Sequence, residues 1–215
     1  MTLRSKDGKE IRYEGEAEMK AGMLDGRGKI RWSNGQAYEG DFKNGTMDGK
    51  GKITFPDGKV YEGDFKDGVM EGRGVYTKVD GSVYEGEWKN NQKEGKGTVR
   101  WKNGETYEGD FKNGRMEGKG VYTWANGDVY KGDFKASKKH GKVIYTWKNG
   151  KVYEGDFVEN NMTGKGIIRE TNGTIYEGEV VEGKPSGVGV LKDESGNVIY
   201  EGSGESSSDF SAQQF

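Results

Sequence analysis

A tyrosine followed by glutamate or lysine and then glycine returns through the whole chain, and its spacing leaves little freedom of architecture. The tyrosines are Tyr13, Tyr38, Tyr61, Tyr84, Tyr107, Tyr130, Tyr153, Tyr176 and Tyr200, separated by 25 residues, then 23 six times, then 24. This spacing makes eight full repeats and the start of a ninth. A period in this range marks an array of small supersecondary units, none of which can bury its apolar face alone. The reading divides the chain into an N-terminal cap over 1–12, the array over 13–202, and a flexible polar tail over 203–215 in which Phe210 and Phe215 are placed to dock.

The repeat from Tyr107, YEGDFKNGRMEGKGVYTWANGDV, reads as two strands and two turns. In the first strand, Tyr107 to Lys112, alternation puts Tyr107, Gly109 and Phe111 on one face and Glu108, Asp110 and Lys112 on the other. After the Asn113-Gly114 turn and a short segment, Arg115-Met116-Glu117, the second strand runs from Gly118 to Trp124, with Gly118, Gly120, Tyr122 and Trp124 on the ring-bearing face. Asn126-Gly127 then reverses the chain, because Asn-Gly supplies the positive φ angles of tight hairpins. The predicted fold is all-β, an elongated single-layer antiparallel meander of β-hairpins. Glycines fall on the same face as the rings, so a ring can lie flat across a strand that offers no side chain there. A ring burying about 200 Å² contributes on the order of 5 kcal/mol before entropic costs.

The opposite face is charged. An acid follows nearly every repeat tyrosine and a second lies two residues later, as Asp41, Asp64, Glu87, Asp110, Asp133 and Asp156; the second strands carry Arg27, Lys50, Arg73, Lys96, Lys119, Lys142 and Lys165 at cross-strand positions. Such a face neutralises itself. The end repeats are poorer: the place four after the tyrosine is aromatic from Phe42 to Phe157 but Ala17 and Val180 outside, as expected of caps.

These features resemble the MORN (membrane occupation and recognition nexus) repeat, whose pattern YEGxxxNGxxxGxGxxxxxNG is met in register over about residues 13–202. The resemblance implies a row of β-hairpins forming a grooved sheet. It further implies a stand-alone scaffold of the kind found in cytoskeletal assemblies and ciliary radial spokes, hence a cytoplasmic, cytoskeletal or axonemal setting. Two places depart from the pattern: only His140 stands where many relatives have histidine, and Val143 replaces the glycine three residues on.

Composition narrows the functions. Only 30% of residues are hydrophobic and 33% are charged, with 34 Lys+Arg against 36 Asp+Glu, so no global positive field draws in nucleic acid or anionic lipid. Cysteine is absent, which excludes disulfide and thiolate-metal scaffolds and fits an intracellular protein. The N-terminus lacks a signal-peptide pattern. No catalytic residues are assigned, since one histidine without a nucleophilic partner is neither a triad nor a metal site. His140 reads as a hairpin-loop residue with a structural role. The Gly114 to Lys119 run echoes a phosphate loop but lacks its spacing and its helix. No cofactor and no metal are expected, the repeated carboxylates reading as ion pairs rather than calcium ligands. Met47, Met70, Met116 and Met162 share one repeat position, broken by Lys93, Lys139 and Pro185, and read as a loop cover over the sheet edge or an adaptable rim.

One sheet cannot cover both of its own faces. The aromatic face is densest between Trp88 and Phe157, and the candidate partner-binding residues are Trp88, Trp101, Tyr107, Phe111, Tyr122, Trp124, Tyr130, Phe134, Tyr145, Trp147 and Tyr153. The expected occupant is a helix or extended segment of a protein partner, or a second copy of the chain. The rival readings are a peripheral membrane adaptor for phosphoinositides, disfavoured by the interleaved charges, and a regulatory subunit of an enzyme on another chain.

Overall fold

The computed structural model describes residues 2–4, 10–13 and 19–204, and these contain strands and turns without a helix. The expected N-terminal cap falls partly, and the polar tail almost wholly, outside the described residues, as do Glu14, Glu16, Ala17, Phe210 and Phe215. The chain forms two compact units. One comprises residues 1–102 with 111–114, and the other 103–110 with 115–215.

In the first unit, strands Gly26–Trp32, Ala37–Lys43, Thr46–Thr54, Val60–Lys66, Val69–Thr77, Val83–Lys89 and Gln92–Arg100 follow one another as an antiparallel meander. Ahead of these, Glu10–Tyr13 pairs with both Thr2–Arg4 and Gly26–Trp32, and Met19–Lys20 forms a separate two-residue ladder with Met23–Leu24. The second unit repeats the pattern from Arg115–Thr123 through Val129–Lys135, Lys138–Thr146, Val152–Val158, Asn161–Arg169, Ile175–Val181 and Lys184–Lys192 to Val198–Gly204. The expected antiparallel meander of hairpins is present in both.

From the second repeat onward the second strand starts earlier than the sequence suggests, as the repeat from Tyr107 shows. It begins at Arg115 rather than Gly118 and ends at Thr123, so Trp124 stands just past it and the methionine position lies on a strand instead of in a loop. Met47 faces Phe42, Met70 faces Phe65, and Met162 faces Phe157 across the ladder. His140 is likewise a strand residue, paired with Asp133, and not part of a hairpin loop.

The extra length is absorbed by a bulge. Gly132 pairs with Val143 and Asp133 with His140, leaving Gly141 and Lys142 unpaired on that side. Because an even number of residues is skipped, side chains on both sides of the bulge keep the same facing. The exposed N–H of the bulge finds a carboxylate: Lys50 N donates to Asp41 Oδ2 at 3.0 Å, Arg73 N to Asp64 Oδ2 at 2.9 Å, and Lys119 N to Asp110 Oδ2 at 3.3 Å. The second acid of the repeat therefore satisfies backbone as well as pairing with lysine across the ladder, as in Lys50–Asp64 at 2.5 Å, Lys119–Asp133 at 2.7 Å and Lys142–Asp156 at 2.7 Å. These ion pairs are at the expected cross-strand positions, mostly exposed, and individually worth a few tenths of a kcal/mol.

The two turns of a repeat differ. Asn113 and Gly114 both have positive φ, 50° and 79°, which is the primed hairpin turn that matches strand twist. At the second turn only Gly127 does, at 96°. Asn126 instead accepts the Asp128 N–H on its Oδ1 at 3.0 Å, while Trp124 closes the loop by donating to Asp128 O at 2.9 Å and accepting from Gly127 N at 2.9 Å. The asparagine serves here through its side chain rather than through a left-handed backbone.

Candidate functional site

The aromatic face contains two kinds of ring. The repeat tyrosines Tyr38, Tyr61, Tyr84, Tyr107, Tyr130 and Tyr153 are fully buried. Each lies over glycine in its own strand and, except for Tyr130, which meets Val143, over glycine in the next: a Cβ at Gly74 would be 2.4 Å from the Tyr61 Cε2, and one at Gly120 would be 2.5 Å from the Tyr107 Cε2. Only a residue without a side chain permits that approach. Each phenol donates to a carbonyl three residues on, as Tyr38 to Asp41 O at 2.9 Å and Tyr61 to Asp64 O at 2.9 Å. Burial, with smaller contributions from neighbouring charges, raises the pKa of these phenols well above the usual tyrosine value.

Phenylalanine and tryptophan wedge between the tyrosines edge to face. In the first unit Tyr38 meets Phe42 and Phe65, Tyr61 meets Phe65 and Trp88, and Tyr84 meets Trp88 and Phe111, at 5.0 to 5.3 Å between centroids. In the second, Phe134 meets Tyr107 and Tyr130, and Phe157 meets Tyr130 and Tyr153. Such contacts are worth about 0.5–1.5 kcal/mol each beyond area burial. Six of the eleven candidate residues belong to this row: Trp88, Tyr107, Phe111, Tyr130, Phe134 and Tyr153 are all buried within the protein itself. They hold the strands together, and an incoming partner meets little of them.

The other five, Trp101, Tyr122, Trp124, Tyr145 and Trp147, are only half-buried. Four of them form an unbroken strip in the second unit: Tyr122 to Trp124 at 4.8 Å, Trp124 to Tyr145 at 5.2 Å, and Tyr145 to Trp147 at 4.6 Å, with planes inclined by 45° to 57°. Trp101 belongs to the first unit, where Phe55 and Tyr76 start a comparable strip but exposed Lys78 stands in the next tryptophan position.

Polar groups fix the second-unit strip from beneath. Tyr122 donates to Glu105 Oε2 at 2.5 Å and Tyr145 donates to Asp128 Oδ2 at 2.9 Å. Burial first, and then these carboxylates, raise both phenols above the usual range. Asp128 also accepts from Lys148 N at 2.8 Å and Asn126 Nδ2 at 3.0 Å; burial works against its ionised form, yet these hydrogen bonds prevail and its pKa is lowered. Above the rings lie cations: Lys139 Nζ is 4.4 Å from the Trp124 centroid and Lys151 Nζ is 5.2 Å from that of Trp147. Glu105, Asp128, Lys139 and Lys151 lie outside the eleven candidate binding residues. The one available signal was Lys139 interrupting the methionine row.

Held by their turns and phenolic anchors, these rings offer apolar, partly solvated surface with cations at its margin, which suits binding rather than bond-making. Among the described residues no group of three or more His, Asp or Glu is placed to hold a metal, and no helix is long and apolar enough to cross a membrane.

The sequence model of the MORN repeat matches eight times in succession, over residues 13–37, 38–60, 61–83, 84–106, 107–129, 130–152, 153–175 and 176–198. No curated protein sequence matches the chain. Among solved structures, the G-box domain of the microcephaly protein CPAP, for which a role in centriole elongation has been suggested, is 13% identical. It has a TM-score of 0.52, covering 80% of this chain and 90% of that one. The TCP domain of Drosophila melanogaster SAS-4, solved with a proline-rich motif of Ana2, is 14% identical with a TM-score of 0.45, covering 81% and 86%. The TCP10 domain of Danio rerio CPAP is 11% identical with a TM-score of 0.45, covering 95% and 100%. At 13% identity, the first of these likenesses is one of fold.

Proposed function

The chain belongs to the MORN repeat family, and from that membership we propose that it is a non-enzymatic scaffold whose half-exposed aromatic strip binds a segment of a protein partner. The observation that carries the reading is the division of labour among the rings. The buried tyrosine and phenylalanine row already holds the strands together, whereas Tyr122, Trp124, Tyr145 and Trp147 present indole and phenol surface beyond what that packing uses. Rigid aromatic side chains lose little entropy on docking and dominate interface energetics. The sharper placement, in a cytoskeletal or ciliary assembly such as a radial spoke, rests on the family and on the repeat filling most of the chain.

The test is affinity capture from native cells with the wild-type chain and with Trp124→Ala and Trp147→Ala variants, their fold checked by far-UV circular dichroism. A polypeptide recovered with wild type and lost from both folded variants supports the reading; recovery that ignores both substitutions overturns it. Sedimentation of the purified chain separates hetero-association from self-pairing through the same strip. Flotation with phosphoinositide vesicles at moderate salt addresses the membrane alternative, in which the chain rises with the vesicles instead of staying behind.

A further inference from the structure

The lysines that interrupt the methionine row differ from those that face the charged side of the sheet. Lys93 in the first unit and Lys139 in the second occupy the repeat position held by Met47, Met70, Met116 and Met162. Each is half-buried, with its ammonium over two rings: Lys93 is 4.5 Å from the Tyr84 centroid and 5.7 Å from that of Phe111, and Lys139 is 4.4 Å from Trp124 and 5.9 Å from Tyr130. Lys50, Lys119, Lys142 and Lys151 all reach a carboxylate within 2.7 Å. Among the described residues, neither Lys93 nor Lys139 makes an ion pair. Burial, together for Lys93 with the like charge of Lys78, pushes Lys93 down to about 8; burial also lowers Lys139, against a smaller opposing pull from Glu105. Ring faces compensate only part of the lost hydration of an ammonium.

The carboxylates around the second-unit strip are already engaged. Glu105 accepts from Tyr122, Asp128 accepts from a phenol, an amide and a backbone N–H, and Glu170 pairs with Lys151 at 2.7 Å. The charge left unmatched beside the rings is therefore positive. Resting on the protein-binding reading above, we infer that Lys139 is an anion-docking point of the Tyr122–Trp147 strip, and that the partner segment is acidic, with a carboxylate side chain next to an apolar one. The apolar side chain packs on the indoles, and the carboxylate meets an ammonium that is already partly dehydrated, so the pair forms at a smaller desolvation penalty than on open surface. Lys93 repeats the arrangement over Tyr84 and Phe111.

The probes are three fluorescein-labelled 14-residue peptides with one Leu/Trp framework, in which the remaining positions are all Glu, all Gln or all Lys. Anisotropy is read against the full chain at low and at moderate salt. Wild type should bind the Glu peptide about ten-fold tighter than the Gln peptide, the advantage shrinking with salt. Lys139→Met places in this repeat the residue that four other repeats carry, so the fold tolerates it; it should erase the preference for Glu while leaving Gln-peptide affinity unchanged. Equal binding of the Glu and Gln peptides, a preference that survives Lys139→Met, or no binding of the Glu peptide each overturns the inference. If Glu and Gln peptides bind alike and Trp124→Ala abolishes both, the acidic-partner inference fails while the protein-binding reading stands. Phosphatidylserine vesicles captured through Lys139, with no peptide bound, would assign the ammonium to lipid and overturn the inference as well.

Discussion

Replacing Gly74 by alanine tests the packing principle of the whole array. The new Cβ would lie 2.4 Å from Cε2, Cζ and the hydroxyl of Tyr61, so the ring must retreat by about 1 Å to reach ordinary contact. The phenol donates to Asp64 O at 2.9 Å, and the ring meets Phe65 and Trp88 edge to face, each at 5.1 Å. Weakening one buried hydrogen bond costs about 1 kcal/mol, and partial loss of two ring contacts about 1 kcal/mol more. Overpacking in well-filled cores spans about 1–3 kcal/mol, so a loss of about 2–3 kcal/mol is expected. The sixth repeat limits the damage: Val143 stands at this place there, and Tyr130 remains fully buried, so displacement is survivable. Urea unfolding followed by tryptophan fluorescence gives the loss, and a double-mutant cycle with Tyr61→Ala isolates its cause. Tyr61→Ala alone should cost about 3–5 kcal/mol, yet in that background Gly74→Ala should be nearly neutral, a coupling of at least about 1 kcal/mol. Additive effects, or a Gly74→Ala loss below about 0.5 kcal/mol, would refute the claim that rings require bare backbone beneath them.

Val143→Gly, which restores the common residue, should lower stability by about 1–2 kcal/mol in the same urea assay, because it empties buried volume around Tyr130 and loosens the strand; a gain would contradict this. The raised phenols predict alkaline unfolding. Buried tyrosines stay protonated above pH 10 while unfolded ones ionise, so stability falls as pH rises from about 10 upward. Phenolate absorbance should accordingly climb together with the loss of circular dichroism rather than before it. At the acid end, Asp64 and Asp128 have depressed pKa values, despite the opposing effect of burial, so the stability they confer is present above about pH 4 and lost as pH falls through their folded values. The urea midpoint should drop between pH 5 and pH 3, and drop less in Asp128→Asn.

The period of 23, the two strands per repeat and the facing of the rings were all legible in the sequence, because alternation and a glycine beneath each ring leave one consistent register. Trp124, by contrast, could be placed on a face but not assigned to a turn, since nothing local distinguishes a last strand residue from one just beyond. The bulge was hidden for a related reason. A slip of even length leaves hydrophobic alternation undisturbed, and only the positive φ of Gly141, 71°, betrays it. The candidate site was half legible. Composition cannot separate Tyr107, sealed under its neighbours, from Tyr122, which reaches a margin; that difference arises from which glycines and carboxylates the register sets below each ring.

The backbone N–H groups of the primed turns donate in one direction, to the repeat before, while turn side chains such as Asn91 and Ser137 accept from that repeat's Met70 N and Met116 N. Met47 O accepts from Gly68 N and Asp48 Oδ2 from Asp67 N; in the later repeats Met116 O accepts from Ser137 N and Glu117 Oε2 from Ala136 N. In each case the earlier repeat supplies the acceptors and the later one the donors of its primed turn. In a nascent chain the acceptors for each turn are thus synthesised before the N–H groups that donate to them. Evolution by whole-repeat duplication meets the same convenience, for a copied hairpin arrives with a landing place behind it and offers one ahead.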